Sequence, residues 1–147
     1  MPALTFNELV PVLQLSVSPV ILISGMGLII LTLTNRFGRM VDRARILNQE
    51  LTNDPTSPRA EEMRIQIRIL MRRAGILRLS IALGALTALL AGLLVLLLFA
   101  GALLKLEWGG VIISVFCAAI LSLIGSVTAF IADTNLALAA VRHEVKL

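Results

Sequence analysis

The sequence predicts an all-α integral membrane protein with three transmembrane helices and a cytoplasmic antiparallel helical hairpin between the first and second. Three observations carry that reading. Residues 79–104 and 109–132 contain no charge, and each run exceeds the roughly 20 residues that cross a hydrocarbon core of about 30 Å. A third uncharged run, 9–34, precedes them. Ten of the thirteen Lys and Arg residues lie in 36–78, between the first two runs. With 58% apolar and 15% charged residues, and a mean hydropathy of +0.95, the chain departs from soluble domains, where about a quarter of residues are charged.

The first run contains Pro11 and Pro19. Proline inside a helix removes a hydrogen bond and favours a kink or a start. The simplest parse is an interfacial segment over 4–15 followed by span one over 17–35. Ser18 suits an N-cap and Pro19 the first helical position, where its missing amide would be unbonded anyway. No basic residue precedes Arg36, so the segment lacks the basic start of a cleaved signal and reads as retained.

Charge then sets orientation. The connection over 36–78 carries ten arginines, the turn near Lys105 one lysine beside Glu107, and the tail over 133–147 Arg142 and Lys146. By the positive-inside rule the arginine segment and the C-terminus are cytoplasmic, and the N-terminus and short turn lie outside. Three spans make these assignments consistent. Trp108, at the outer end of span three, fits an interfacial anchor.

The arginine segment is periodic. Phe37, Met40, Val41, Ala44, Leu47 and Leu51 recur at helical steps, and so do Met63, Ile67, Leu70, Met71, Ala74 and Leu77. Between them 53–58 reads as a turn, with Ser57 capping a new helix, Pro58 at its first position, and Glu61 and Glu62 near its positive end. The two stripes can zip together as the hairpin.

Nothing in the chain assembles a catalytic, cofactor or metal site. Acid, base and nucleophilic catalysis need groups within hydrogen-bond reach of a partner that tunes them. The single His143 stands between Arg142 and Glu144 in the tail, where it reads as solvated. Cys117 is alone and mid-span, so it reads as a small packing residue. An intramembrane carboxylate protease would need a second acid beside Asp133. The net charge of +4 is explained by the juxtamembrane arginines, and their segment almost lacks the aromatic residues on which bases stack. The expectation is a non-enzymatic protein that uses no cofactor and binds no nucleic acid.

The string SPVILISG at 18–25, followed by NRFGRMVDRAR at 35–45, resembles the signature of a bacterial membrane-protein family known as domain of unknown function 2721. The matching residues are Ser18, Pro19, Ser24, Gly25, Asn35, Arg36, Arg39, Asp42, Arg43 and Arg45. The resemblance covers nearly the whole chain. It implies a multi-pass protein of the bacterial inner (plasma) membrane, and it brings no activity with it. Asp133-Thr134-Asn135 departs from the basic exit that the family leads one to expect.

Small residues recur at four-residue steps, as Gly84, Ala88 and Gly92 in span two and Ser114, Ala118, Ser122 and Ser126 in span three, with Gly125 and Ala129 beside them. Such stripes let helix backbones approach closely in lipid. Packing within one subunit takes up part of the pattern, and self-association takes up the remainder. In span one, Ser24, Gly27, Leu31, Thr34 or Asn35, Gly38 and Asp42 share a side. That side either packs against the other spans, with Asn35 and Asp42 pairing with Arg39 and Arg45, or lines a pore in a ring of subunits. Packing is the more economical account, because a pore shows a longer run of polar groups at membrane depth.

The expected role is self-assembly, or an accessory or scaffold place in a membrane complex, with a homo-oligomeric channel lined by span one as the alternative. The candidate oligomer or pore interface is Ser18, Pro19, Ser24, Gly25, Gly27 and Asn35. Arg36, Arg39, Arg43, Arg45, Arg72, Arg73 and Arg78 are the candidate contacts to anionic lipid headgroups, each worth about 1 kcal/mol near such a surface.

Overall fold

The computed structural model describes residues 6–105 and 108–144, with side chains over 10–105 and 108–137. These residues form three helices: α1 (Phe6–Asn53), α2 (Ala60–Leu104) and α3 (Gly109–Glu144). Each contains a segment long and apolar enough to cross a membrane. Large apolar side chains such as Leu28, Leu89 and Leu121 face outward, each at least 65% exposed, as befits a chain whose solvent is lipid. The chain is an all-helical multi-pass membrane protein, the form in which every amide is satisfied within its own segment.

α1 differs from the expected start at Ser18 and Pro19. It runs from Phe6 with Pro11 and Pro19 both inside it, so Ser18 stands within the helix and caps nothing. Each proline forfeits one amide bond while the bonds on either side persist. Membrane helices tolerate such gaps where neighbouring groups re-satisfy the backbone. Between the two prolines the Ser16 Oγ donates to the Val12 carbonyl one turn back at 2.8 Å, which satisfies the buried hydroxyl rather than a carbonyl that either proline frees.

The connection between α1 and α2 agrees with the predicted turn. The Asp54 amide closes α1 on the Glu50 carbonyl at 3.1 Å. Ser57 Oγ accepts the Arg59 amide at 3.4 Å, and the Ser57 carbonyl accepts the Ala60 amide at 2.9 Å. Ser57 thus caps α2, whose first turn carries Glu61 and Glu62. α2 ends at Leu104, and the next residue, Lys105, has a φ of 53° in the left-handed region.

The chain divides into two compact units, Met1–Ile30 with Leu83–Gly125, and Leu31–Ala82 with Ser126–Leu147. In the first, Ser16, Pro19 and Met26 of α1, Thr87, Ala91 and Leu94 of α2, and Ala119 and Ser122 of α3 are buried. Their steps of three, four and seven residues are those of helices meeting along a seam. The Leu83 carbonyl accepts both Thr87 Oγ1 at 2.9 Å and Ser122 Oγ at 2.8 Å. A Cβ on Gly125 would come within 3.1 Å of Leu83 Cδ1, so glycine permits the close approach there.

In the second unit the buried residues are Leu33, Met40, Ala44 and Leu47 of α1, Ala60, Ala74, Leu77 and Ser80 of α2, and Ser126 and Asp133 of α3. Of the two apolar stripes, Met40, Ala44 and Leu47 of α1 and Ala74 and Leu77 of α2 are buried, while Met63, Ile67 and Leu70 are half-buried. Met71 is the exception at 58% exposed. It lies on the flank of the seam, lining an apolar groove of ≈ 530 Å³ with Phe37 and Val41. Ser80 and Ser126 exchange hydroxyl bonds reciprocally: Ser80 Oγ donates to the Ser126 carbonyl at 2.7 Å, and Ser126 Oγ to the Ser80 carbonyl at 2.8 Å. Both are fully buried. Interhelical bonds of this kind contribute about 0.6 kcal/mol each, so their weight lies in holding two backbones close.

The small-residue stripe of α3 is split by this packing. Ser122 and Ser126 are buried, whereas Ser114 and Ala118 are exposed. Cys117, expected to pack inside, is exposed as well. Glu107, and the side chains of Arg142, His143, Lys146 and Leu147, lie outside the described residues.

Candidate functional site

The one acid that ends an uncharged run becomes the centre of the second unit. Asp133 of α3 has no exposure, and both its carboxylate oxygens are taken. Oδ2 meets Arg36 of α1 through an Nη at 3.2 Å, and Oδ1 meets Arg73 of α2 through Nε at 3.2 Å. One residue from each helix thus joins a single clamp. Arg36 is further held by Thr134 Oγ1 at 3.4 Å and by the Phe130 ring, whose centroid lies 5.2 Å from its guanidinium carbon. A cation stacked on an aromatic face gains about 0.5–1 kcal/mol or more. Sidedness comes from helical spacing: Asp133 stands seven residues, or two turns, after Ser126, and so on the same face of α3.

A carboxylate removed from solvent is costly unless charged partners and hydrogen bonds compensate it. Two guanidiniums do so here, and the clamp carries a net charge of +1. In the sequence Asp133 reads only as a lone acid and as an atypical exit. The signal was present: an ionisable residue closing a span, with ten arginines in 36–78, asks for a named partner. No one-dimensional pattern says which arginine answers.

The candidate arginines do not form one cluster. Arg36, Arg39, Arg43 and Arg73 line a single cavity of ≈ 190 Å³ with Met40 and Leu70. Arg45 and Arg78 line the apolar groove instead, and Arg72 is exposed away from both. Among the described residues no carboxylate pairs with Arg39 or Arg43. Arg43 also borders a neighbouring hollow that includes Glu50 and Glu62.

The span-one candidates face outward. Ser18, Ser24, Gly25, Gly27 and Asn35 are exposed, and Pro19 alone is buried. Among the described residues no atom beyond the adjoining turns of α1 lies within 4 Å of a Cβ built on Gly25 or Gly27. The expectation that this side packs on the other spans is corrected: Met26 and Leu33 take the inward face, and Ser24, Leu31 and Asn35 lie about 160° or more around the helix from their nearest inward neighbour at about 100° per residue. Asp42 is exposed too, and among the described residues it pairs with neither Arg39 nor Arg45. Among the described residues no three His, Cys, Asp or Glu side chains come together as metal ligands.

The family described as "Protein of unknown function (DUF2721)" matches residues 16–143. No curated protein and no solved structure matches the chain.

Proposed function

The chain belongs to the DUF2721 family of proteins of unknown function, and from that premise we propose a non-enzymatic protein of the bacterial inner membrane that acts by assembly. It joins copies of itself, or serves as an accessory or scaffold subunit of a membrane complex, through the outer face of α1. The observation that carries this reading is the open surface around Gly25 and Gly27, flanked by exposed Ser24, Leu31 and Asn35. Glycine and serine on a lipid-facing side expose backbone that a second helix can approach closely. Among the described residues nothing beyond the adjoining turns of α1 comes within 4 Å of a Cβ at Gly25 or Gly27 to use that approach.

Gly27→Leu tests it, because among the described residues a Cβ at that position meets no atom outside its own helix turns within 4 Å. The expected outcome is loss of oligomer or complex in a native-like bilayer with all three spans still inserted, since insertion depends on apolar length. Single cysteines placed over 24–35 in a Cys117→Ser background should cross-link between subunits through positions 24, 27, 31 and 35. Links confined to α2 and α3 would remove α1 from the role. A closed ring with a hydrated axis would instead favour the channel alternative.

In this proposal the segment over 36–78 and the C-terminus are cytoplasmic, and the arginines there anchor the chain to anionic headgroups. A reporter fused after Leu147 should show a cytoplasmic address, and one inserted at Glu107 an external address. The reverse pair of addresses overturns the orientation.

A further inference from the structure

We propose that Arg36, Arg39, Arg43 and Arg73 form a binding site for a phosphoryl dianion, either the monoester headgroup of an anionic lipid or free phosphate. Four guanidiniums border one cavity of ≈ 190 Å³, and among the described residues Asp133 is the one carboxylate paired with any of them. The four lining arginines and Asp133 together carry +3, and two other acids, Glu50 and Glu62, line the adjoining hollow that Arg43 also borders without pairing with it. Cations so placed repel one another, and a bound anion relieves that repulsion. A phosphomonoester carries between one and two negative charges near neutral pH and offers three acceptor oxygens, which suits this excess better than a carboxylate.

The clamp also prepares the donors. Arg36 and Arg73 are held by Asp133 and only a quarter or less exposed, so little side-chain freedom remains to be lost on binding. Arg73 uses Nε for Asp133, leaving both of its terminal nitrogens to donate. Planar guanidinium forks match phosphate oxygens in pairs. Arg39 and Arg43, one helical turn apart on α1, are exposed and supply the mobile side of the site. Met40, buried, and Leu70, half-buried, form an apolar floor beneath the charges, and a low-dielectric wall strengthens their field.

The lipid source rests on the headgroup anchoring proposed above; the free-phosphate source does not. The full chain in neutral detergent, at constant ionic strength, is titrated calorimetrically with inorganic phosphate and separately with dioctanoyl phosphatidic acid. Saturable binding of either probe at one per chain is expected, and which probe binds identifies the source. Arg39→Gln with Arg43→Gln, which leaves the Asp133 clamp intact, should weaken binding about ten-fold or more, as loss of charge-assisted bonds does. Arg45→Gln with Arg72→Gln removes the same charge outside the cavity and should change it less than about two-fold. Should the first pair fold poorly, the parent protein answers: the bound probe must protect Arg39 and Arg43, but not Arg45 and Arg72, from phenylglyoxal. Equal weakening by both pairs, or uniform protection, overturns the site while leaving general anchoring to anionic bilayers standing. Absence of saturable binding to both probes overturns it outright.

Discussion

Asp133→Ala should lower the stability of the folded chain by about 4 kcal/mol, the largest loss expected from one polar substitution, because removing one partner of a buried pair strands the other charge. The stranded charges are Arg36 and Arg73, which then face each other without a counter-ion. Neither can shed its proton, since guanidinium stays charged at any physiological pH. Adding Arg73→Leu to Asp133→Ala should recover part of the loss, and the non-additivity measures the coupling. Unfolding in mixed detergent, followed by circular dichroism, reads all the variants. A melting curve for Asp133→Ala that overlays the parent's would show that the clamp stabilises nothing.

Leu77→Ala is expected to cost about 3 kcal/mol, within the range for deleting a large aliphatic side chain from a core. Leu77 is fully buried where α2 meets its neighbours, so the cavity cannot be filled by lipid. Leu47→Ala, at 4% exposure, should come close behind. Leu70→Ala should cost only about 1 kcal/mol, since Leu70 is half-buried and part of its area stays outside the core. The order Leu77, Leu47, Leu70 in the same unfolding assay is the prediction. Equal losses at all three positions would mean that the seam between α1 and α2 is not the packed core of the second unit.

The helical stripes of 36–78 were legible because burial imposes a period that composition records: Met40, Ala44, Leu47, Ala74 and Leu77 stand where the pattern put them. Ser57 was legible as the residue that opens the turn into α2, since capping chemistry is local, whereas Pro58, expected at the first helical position, stands in that turn two residues before α2 begins at Ala60. Pro19 misled, because a start signal and a tolerated interior proline look alike in one dimension, and continuous bonding from Phe6 settles the choice only in the folded helix. Ser24 and Asn35 misled differently. A polar face in a soluble helix would point to water, but in a membrane helix it can turn either inward or outward, and period alone does not say which.

Three spans and their lengths are properties of apolar runs measured against the thickness of a bilayer, and they need no knowledge of what touches what. The family is likewise carried by short strings along the chain. The partnership of Asp133 with Arg36 and Arg73 is of another kind, since its members stand 97 and 60 positions apart. The ten arginines of 36–78 offered themselves to one carboxylate, and helix rotation and close approach at Ser80 and Ser126 select which two reach it. The same selection gathers Arg39 and Arg43 to the cavity and leaves Arg45, Arg72 and Arg78 outside. Electrostatic attraction is long-ranged and indiscriminate in sequence; it becomes specific only where packed backbones fix the distances over which it acts.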